Sequence, residues 1–425
     1  MVRAVRAIIT LSIVCYWCAL AGGQIIGHGD NVNGIEGDGF VVWPLIVAGD
    51  PNSSPTDAAD GSSRVDPNVL SSPYAGVGSV SVGTSRCTGS LVTPVHILSA
   101  GHCFDVDNNG SADVPLADIN FNLNHDGDLS FVTPVANIDW HPDFTGLSAV
   151  NLHDDIAVVR LVDAVPADVP IYSLFRSLVM PGTVATFVGY GSSGNGIDGK
   201  TTNGDFVTKR VGGNALDMFE VDDDCLRRCH RNGALEVYKY DFDAPDGSSG
   251  SMGGSSLGND LETTVLGGDS GSPAFVFHDG ELVIGGISTF VLGPASDFGL
   301  FGTIGGGMLV SAYADFIDSV LVTPGDIDGD FLVDINDLGI VGAHFNQAVT
   351  TAEFGDLSGD GFVDIADLGI IGGNWTGVRP SLFSRVQNAG GLAVPEPTAM
   401  TLVGMGCVVL VRRPRLRGYR NSWQR

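Results

Sequence analysis

The sequence predicts a mainly β protein with a small α-helical module towards its C-terminus. Three observations carry this. Gly supplies 60 of 425 residues and only 16% are charged, a composition of loop-rich β structure rather than of helical bundles. Between about residues 74 and 320, short apolar runs alternate with Gly/Asp/Asn turns: GVGSVSV, VHILSA, DIAVVRLV, TVATFVGYG, LEVYKYDF, PAFVF and LVIGGISTFV. That spacing is the mark of an antiparallel barrel or sandwich. Beyond Thr323-Pro324-Gly325 the pattern changes to two copies of an acidic loop followed by an apolar segment of helical period.

In chain order, the first element is an export signal. Arg3 and Arg6 precede AIITLSIVCYWCALA, which ends in the cleavage pattern Ala19-Leu20-Ala21; residues 1–21 are therefore expected to be removed. Residues 22–64 are rich in Gly, Asp, Asn and Ser around one apolar patch, FVVWPLIVAG, and read as a propeptide or linker. Of seven cysteines, Cys15 and Cys18 leave with the signal and Cys407 lies in a C-terminal apolar stretch. Four remain in the exported body, an even count that favours two disulfides. Three connectivities are open to Cys87, Cys103, Cys225 and Cys229, and the two local pairs are favoured. The formal net charge of −28, from 49 acidic against 21 basic residues, argues against nucleic acid and towards solubility or divalent cations. The stretch 192–262, interrupted by GSSGSMGGSSLGN, reads as a long excursion between strands.

Three stretches carry chemistry. LGGDSGSPAF, residues 266–275, places a serine among small residues between two apolar runs. CTGSLVTPVHILSAGHC, residues 87–103, sets His102 after an apolar strand and small residues, where a Cys87–Cys103 bridge would fix the turn. HDDIAVVRL, residues 153–161, feeds an acid into a fully apolar strand. A carboxylate there needs a hydrogen-bond partner, and an imidazole N–H would serve. Hydroxyl, imidazole and carboxylate are together what nucleophilic serine chemistry requires.

These stretches, in this order, resemble the motifs of the chymotrypsin/trypsin-like serine proteases over roughly residues 65–320. The resemblance implies two antiparallel six-stranded β-barrels over residues 65–322, with His102 as general base, Asp155 as its orienting carboxylate and Ser270 as nucleophile. Asp154 is the runner-up carboxylate. The N–H groups of Gly268 and Ser270 are expected to form an oxyanion hole. Thr264, six positions before the nucleophile, and Thr289 and Phe290 in GISTF are the expected substrate-pocket residues. Trypsin-type enzymes carry an acid at the Thr264 position, so a preference for uncharged side chains is expected. Relatives that mature by cleavage pair a new amine with the acid beside the serine, here Asp269. Arg64-Val65 and Leu45-Ile46-Val47 are the candidate cuts.

Other acidic and cysteine motifs follow. In DVDNNGSAD, Asp105, Asp107, Asn109 and Asp113 fall at positions 1, 3, 5 and 9 of a calcium-loop pattern, with Gly110 at 6. Leu116 stands at position 12 where an acid is needed, leaving metal binding there set against a solvated acidic turn. Cys225 and Cys229 with His230 offer metal ligation as the alternative to a local disulfide. His125, His141, His153 and His278 carry no motif.

The tail repeats GDIDGDFLVDINDLGIVGAHF and GDLSGDGFVDIADLGIIGGNW. Oxygen ligands recur at positions 1, 3, 5, 9 and 12: Asp326, Asp328, Asp330, Asp334 and Asp337, then Asp356, Ser358, Asp360, Asp364 and Asp367. Calcium takes ligands at those positions, with the backbone carbonyl of position 7. The repeat resembles the type I dockerin over residues 323–378. The resemblance implies a structural Ca2+ and a cohesin-like docking partner. Position 6 of the first loop is Phe331 instead of Gly, so a strained or different turn and weaker binding are expected there. After a linker at 379–393, VPEPTAMTLVGMGCVVLVRRPRLRGYR resembles a PEP-CTERM sorting signal at 394–417. Its 14 uncharged residues from Thr398 to Val411 rise only about 21 Å as a helix, which fits a transient membrane anchor recognised by sorting machinery. The functional expectation is an exported serine endopeptidase with no catalytic cofactor. Its alternative is a catalytically idle protease-fold protein that docks through its tail.

Overall fold

The computed structural model describes residues 64–376 apart from 106, 108, 110, 148–151, 222, 224–234, 255, 294–297 and 350, together with the backbone of two dipeptide strands. Those two, β1 (Ile25–Ile26) and β2 (Phe40–Val41), pair in parallel. The export signal, Cys225, Cys229, His230, the Leu45-Ile46-Val47 candidate cut and the sorting signal lie outside the described residues. Among the described residues no helix is long and apolar enough to cross a membrane.

Six strands close into a barrel: β3 (Val77–Val82), β4 (Ser85–Thr93), β5 (His96–Ser99), β6 (Ile119–Leu123), β7 (Phe131–Trp140) and β8 (Ala157–Leu161). They follow the order β3-β4-β5-β8-β7-β6 and are antiparallel throughout. Val80, Leu91, Ile97, Phe121 and Val159 are fully buried and fill the interior with Cys87 and Cys103. Burial of each large apolar side chain contributes about 1.5–3 kcal/mol. The Cys87–Cys103 disulfide, spanning 16 residues, ties β4 to the turn after β5. Closing a loop of that size stabilises by about 3 kcal/mol in the chain-entropy account.

The second half contains β9 (Thr183–Gly189), the hairpin β10 (Ser193–Asn195) and β11 (Gly199–Thr202), β12 (Arg210–Leu216), β13 (Met218–Val221), β14 (Leu235–Asp241), β15 (Pro273–His278), β16 (Glu281–Leu292) and β17 (Ile304–Leu309). Where a second six-stranded barrel is predicted, the second half forms one sheet of seven paired segments. Among the described residues these segments follow the order β12-β9-β15-β16-β17-β14-β13, and the end segments β12 and β13 do not pair with each other. Only Asp217 separates β12 from β13, so one bent segment supplies both edges and the sheet curls back on itself. The predicted excursion is correspondingly structured, since β10 to β14 all fall within 192–262.

Helix α1 (Ala314–Leu321) packs on the core through Ile317, which is fully buried. Two further helices, α2 (Ile335–His344) and α3 (Ile365–Gly373), begin at the aspartate caps Asp334 and Asp364. Each cap accepts from a backbone N–H of the first turn, while Asp337 or Asp367 reaches back to the cap's own N–H, satisfying donors that a helix start leaves free. Val333, Val341, Val363 and Ile371 form the small core of the repeat, and Leu332 is buried with Val95 and Ala164 of the barrel region.

Candidate active site

His102 lies in a short 3-10 turn, Gly101–Cys103, directly after β5. Asp155 lies two residues before β8, which pairs with β5 in the barrel. Adjacent strands thus bring residues 53 positions apart into contact. Asp155 is fully buried and holds His102 twice. Its Oδ1 accepts the His102 backbone N–H at 2.8 Å, and its Oδ2 stands 2.7 Å from Nδ1. The opposite ring nitrogen, Nε2, is 2.8 Å from Ser270 Oγ. A carboxylate accepts only, so Nδ1 carries the proton and Nε2 presents its lone pair to the serine hydroxyl. The imidazole retains 18% side-chain exposure, which opens one side of it to a substrate.

Ser270 belongs to an arch between the two halves. Its carbonyl accepts from Thr88 N–H on β4 at 2.8 Å, Thr88 Oγ1 donates to the Gly268 carbonyl at 3.0 Å, and Gly271 N–H donates to Ser288 at 2.7 Å. The arch requires left-handed backbone at Gly268 (φ 107°) and Gly271 (φ 79°), where a side chain is strained. A Cβ on Gly271 would also stand 2.2 Å from Ser99 Oγ. Among the described hydrogen bonds neither Gly268 nor Ser270 uses its backbone N–H as a donor, which leaves both available to a developing oxyanion.

Asp269 is fully buried and accepts from Gly191 N–H at 2.8 Å through Oδ1, while its Oδ2 has no partner among the described residues. Burial pushes its carboxyl up to about 7, opposed by the Gly191 bond and by the charges of Arg210 and Arg86. In the unfolded chain the same group releases its proton near 4. The folded state therefore holds a proton that the unfolded state has lost, and this group's stabilising contribution disappears as pH rises from about 4 to about 7. Denaturant unfolding across pH 4.5–8 is expected to show a flatter dependence for Asp269→Asn than for the wild type; parallel curves would refute it. At the other candidate cut, Arg64 is buried and donates to the carbonyls of Asn259 (2.8 Å) and Leu261 (3.0 Å), while Val65 bridges to Arg210.

The expected pocket residues are less open than the sequence implies. Thr264, Thr289 and Phe290 are all fully buried. The Thr289 hydroxyl has no partner among the described residues, the Thr264 hydroxyl faces the buried Tyr240 phenol, and the Phe290 ring lies where a Cβ on Gly306 would fall. No acid occupies the Thr264 position, as read from the sequence.

Sequence reasoning missed a polar cluster beside Asp155. His153 Nδ1 is 2.6 Å from Glu236 Oε2, Tyr313 donates a short hydrogen bond to Glu236 Oε1, and His141 Nδ1 stands 3.1 Å from Asp154 Oδ1. Asp154, the runner-up carboxylate, faces this cluster and not His102. No sequence signal marks it, because Glu236 and Tyr313 lie 83 and 159 residues from their partners. In the loop after His102, carboxylate oxygens of Asp105, Asp107 and Asp113 lie within 4.8 Å of one another. Asp105 also accepts from Asn109 N–H at 2.9 Å; Gly110 is outside the described residues.

The first tail loop converges in the same way. Asp326, Asp328 and Asp330 bring carboxylate oxygens within 4.8 Å of one another. Asp326 accepts from Gly329 and Phe331 N–H, and Asp356 accepts from Gly359 and Gly361 N–H at matching positions. Phe331 has φ 66° where the second loop has Gly361 at 87°. The first loop thus keeps the turn and carries the strain. Burial, together with neighbouring Asp337 and Asp330, pushes the Asp326 carboxyl up.

Comparison with known proteins adds a family. The family model described as Trypsin matches residues 64–221, which include His102 and Asp155 and end before Ser270. The chain is 34% identical over 89 residues to a venom serine protease, Bi-VSP, of Bombus ignitus, a stretch that is 21% of this chain and 23% of that protein. The chain thus spans about a quarter of the length of this curated relative. Over residues 64–221 the chain is thus similar to the trypsin family.

Proposed function

We propose that the protein is a serine endopeptidase acting through an acyl-enzyme. The observation that carries this reading is the unbroken chain of contacts from Asp155 Oδ2 through the His102 ring to Ser270 Oγ, at 2.7 and 2.8 Å. In the first half-reaction Ser270 Oγ bonds to the scissile carbonyl carbon while its proton moves to His102 Nε2. The carbonyl oxygen becomes an oxyanion, accepting from the Gly268 and Ser270 N–H groups. His102 then returns the proton to the leaving amine as the C–N bond breaks. Water, deprotonated by the same Nε2, then bonds to the acyl carbon, and the Oγ–acyl bond breaks as His102 returns that proton to Ser270 Oγ, releasing the acid. Asp155 remains ionised throughout and stabilises the imidazolium.

Specificity for uncharged side chains follows from the neutral Thr264 position. A serine-directed phosphonate is expected to label Ser270, and a peptide panel is expected to show cleavage after uncharged residues. Cleavage confined to Arg or Lys would overturn the specificity, and absence of both labelling and cleavage would overturn the peptidase reading.

The tail is read as a calcium-stabilised, dockerin-like module with a cohesin-like partner. The chain is read as exported and sorted at the cell surface; a mature mass retaining residues 412–425 would refute transient anchoring. Oxygen donors alone, converging as carboxylates, fit a hard divalent cation. Asp326, Asp328, Asp330, Asp334 and Asp337 would hold one ion, and Asp356, Ser358, Asp360, Asp364 and Asp367 a second. An ion held there would relieve carboxylate repulsion. Chelation is expected to reduce helical circular dichroism and lower the tail's unfolding temperature, while Ser270 labelling stays within about twofold. Binding at a thousandfold excess over Kd corresponds to about 4 kcal/mol. Loss of labelling on chelation would shift the role of calcium to the loop at 105–113.

A further inference from the structure

The turn that presents Asp155 is held by groups that the proton transfers do not use. Asp154 has φ 62°, a left-handed conformation that an aspartate keeps only when its surroundings hold it. Its carbonyl accepts from Ile156 N–H at 2.8 Å, so Asp155 is the middle residue of a tight three-residue turn. The Asp154 N–H, in turn, donates to the Tyr313 hydroxyl at 2.9 Å.

Tyr313 lies between β17 and α1 and is 2% exposed. A phenol has one proton. With its oxygen accepting the amide, that proton goes to Glu236 Oε1 on β14; Met308 Sδ, at 3.3 Å, is the weaker acceptor. Glu236 is 3% exposed, and its second oxygen meets His153 two residues before Asp155. One carboxylate thus grips the turn at two places, through Tyr313 to residue 154 and directly at residue 153. On the other side His141 donates its backbone N–H to the Ile156 carbonyl at 3.1 Å, and its ring meets Tyr313 edge-on at 5.0 Å.

We propose that Glu236 and Tyr313 are positioning residues for Asp155, holding the 153–156 turn so that its carboxylate faces His102. The inference rests on the serine-peptidase reading. The titratable groups around the pair are His141 from the β7–β8 connection, His153 and Asp154 from the turn, and Glu220 and Asp223 from β13 and the residues after it.

The test uses the full chain carrying Tyr313→Phe, which keeps the ring against His141 and removes only the hydroxyl. Misplacement of a catalytic group by about 1 Å costs about 100-fold. The variant is expected to lose 10- to 100-fold in kcat with KM within about threefold. The acid limb of its kcat/KM profile should move to lower pH, because a displaced Asp155 stabilises imidazolium less. The downfield proton resonance of the His102–Asp155 hydrogen bond should broaden or vanish. Glu236→Leu should behave similarly, and Glu236→Gln, which still offers an acceptor oxygen, should restore most of the rate and the resonance.

A wild-type rate, acid limb and resonance in Tyr313→Phe would overturn the positioning role while leaving the peptidase reading intact. A wild type that takes up no phosphonate would end the peptidase reading instead. The resonance would still decide the positioning role: its loss in Tyr313→Phe supports the role and its persistence refutes it.

Discussion

Replacing Ser270 with alanine is expected to remove phosphonate labelling and to lower kcat by about 10^6-fold, leaving a residual about 10^3-fold above water. The magnitude follows from the contact geometry. Ser270 Oγ is the only group placed 2.8 Å from His102 Nε2 among the described hydrogen bonds, and alanine leaves the imidazole without a nucleophile to activate. The two backbone N–H groups of the arch persist, since they depend on left-handed Gly268 and Gly271 and not on the hydroxyl. Folding should be unchanged, because the lost hydroxyl makes one hydrogen bond and Ser270 is followed by the same buried turn. Burst kinetics with an activated ester, together with mass-spectrometric mapping of the label, measures both halves. Labelling that survives in Ser270→Ala would place the nucleophile elsewhere and dismantle the proposed site.

The second large effect belongs to Asp155→Asn, for which a fall of about 10^4-fold in kcat is expected. Asp155 accepts two N–H donors of His102, the backbone amide at Oδ1 and Nδ1 at Oδ2. An asparagine has one acceptor oxygen and one donor amide. If the oxygen keeps the backbone N–H, the amide faces Nδ1 and drives the ring proton to Nε2, where the serine needs a lone pair. The side chain has nearly the same volume, so the buried site should stay packed and the loss should be chemical. Steady-state kinetics with a thermal melt alongside separates the two; a variant within tenfold of wild type would show that the orientation of His102 is set by other groups.

The Asp155→Asn and Tyr313→Phe losses both act on how the Asp155 carboxylate meets His102, one by changing its chemistry and the other by loosening the turn at 153–156. The strand β8 that follows it is a run of Ala157, Val158 and Val159, all fully buried, which fixes where the turn begins. The direction of the Asp155 carboxylate then depends on the left-handed Asp154 and its amide contact with Tyr313.

Local sequence determined a good deal. The alternation of apolar runs and turns yields the strands, since a half-buried strand needs a period of two and the turn residues end it. The Cys87–Cys103 bridge was legible because a short span beside a strand end brings two thiols within reach. The apolar period after each acidic loop announced a helix, whereas the capping of those helices by Asp334 and Asp364, with Asp337 and Asp367 reaching back, was seen only in the structure. His102, Asp155 and Ser270 were legible as residue types in motifs. Their convergence was expected only through the family resemblance; the local sequence does not show that it depends on β5 pairing with β8 and on Thr88 of the barrel gripping the Ser270 carbonyl.

Tertiary structure alone decided the rest. It turned the expected second barrel into seven paired segments, because the chain bends at Asp217 and serves both edges of one sheet. It buried Thr264, Thr289 and Phe290, whose positions along the chain say nothing about what packs over them. It also gathered His141, His153, Glu236 and Tyr313 around the Asp155 turn. A sequence records hydrogen-bond partners only when they are close along the chain; partners separated by 83 or 159 residues meet only after sheet pairing has fixed where each strand lies.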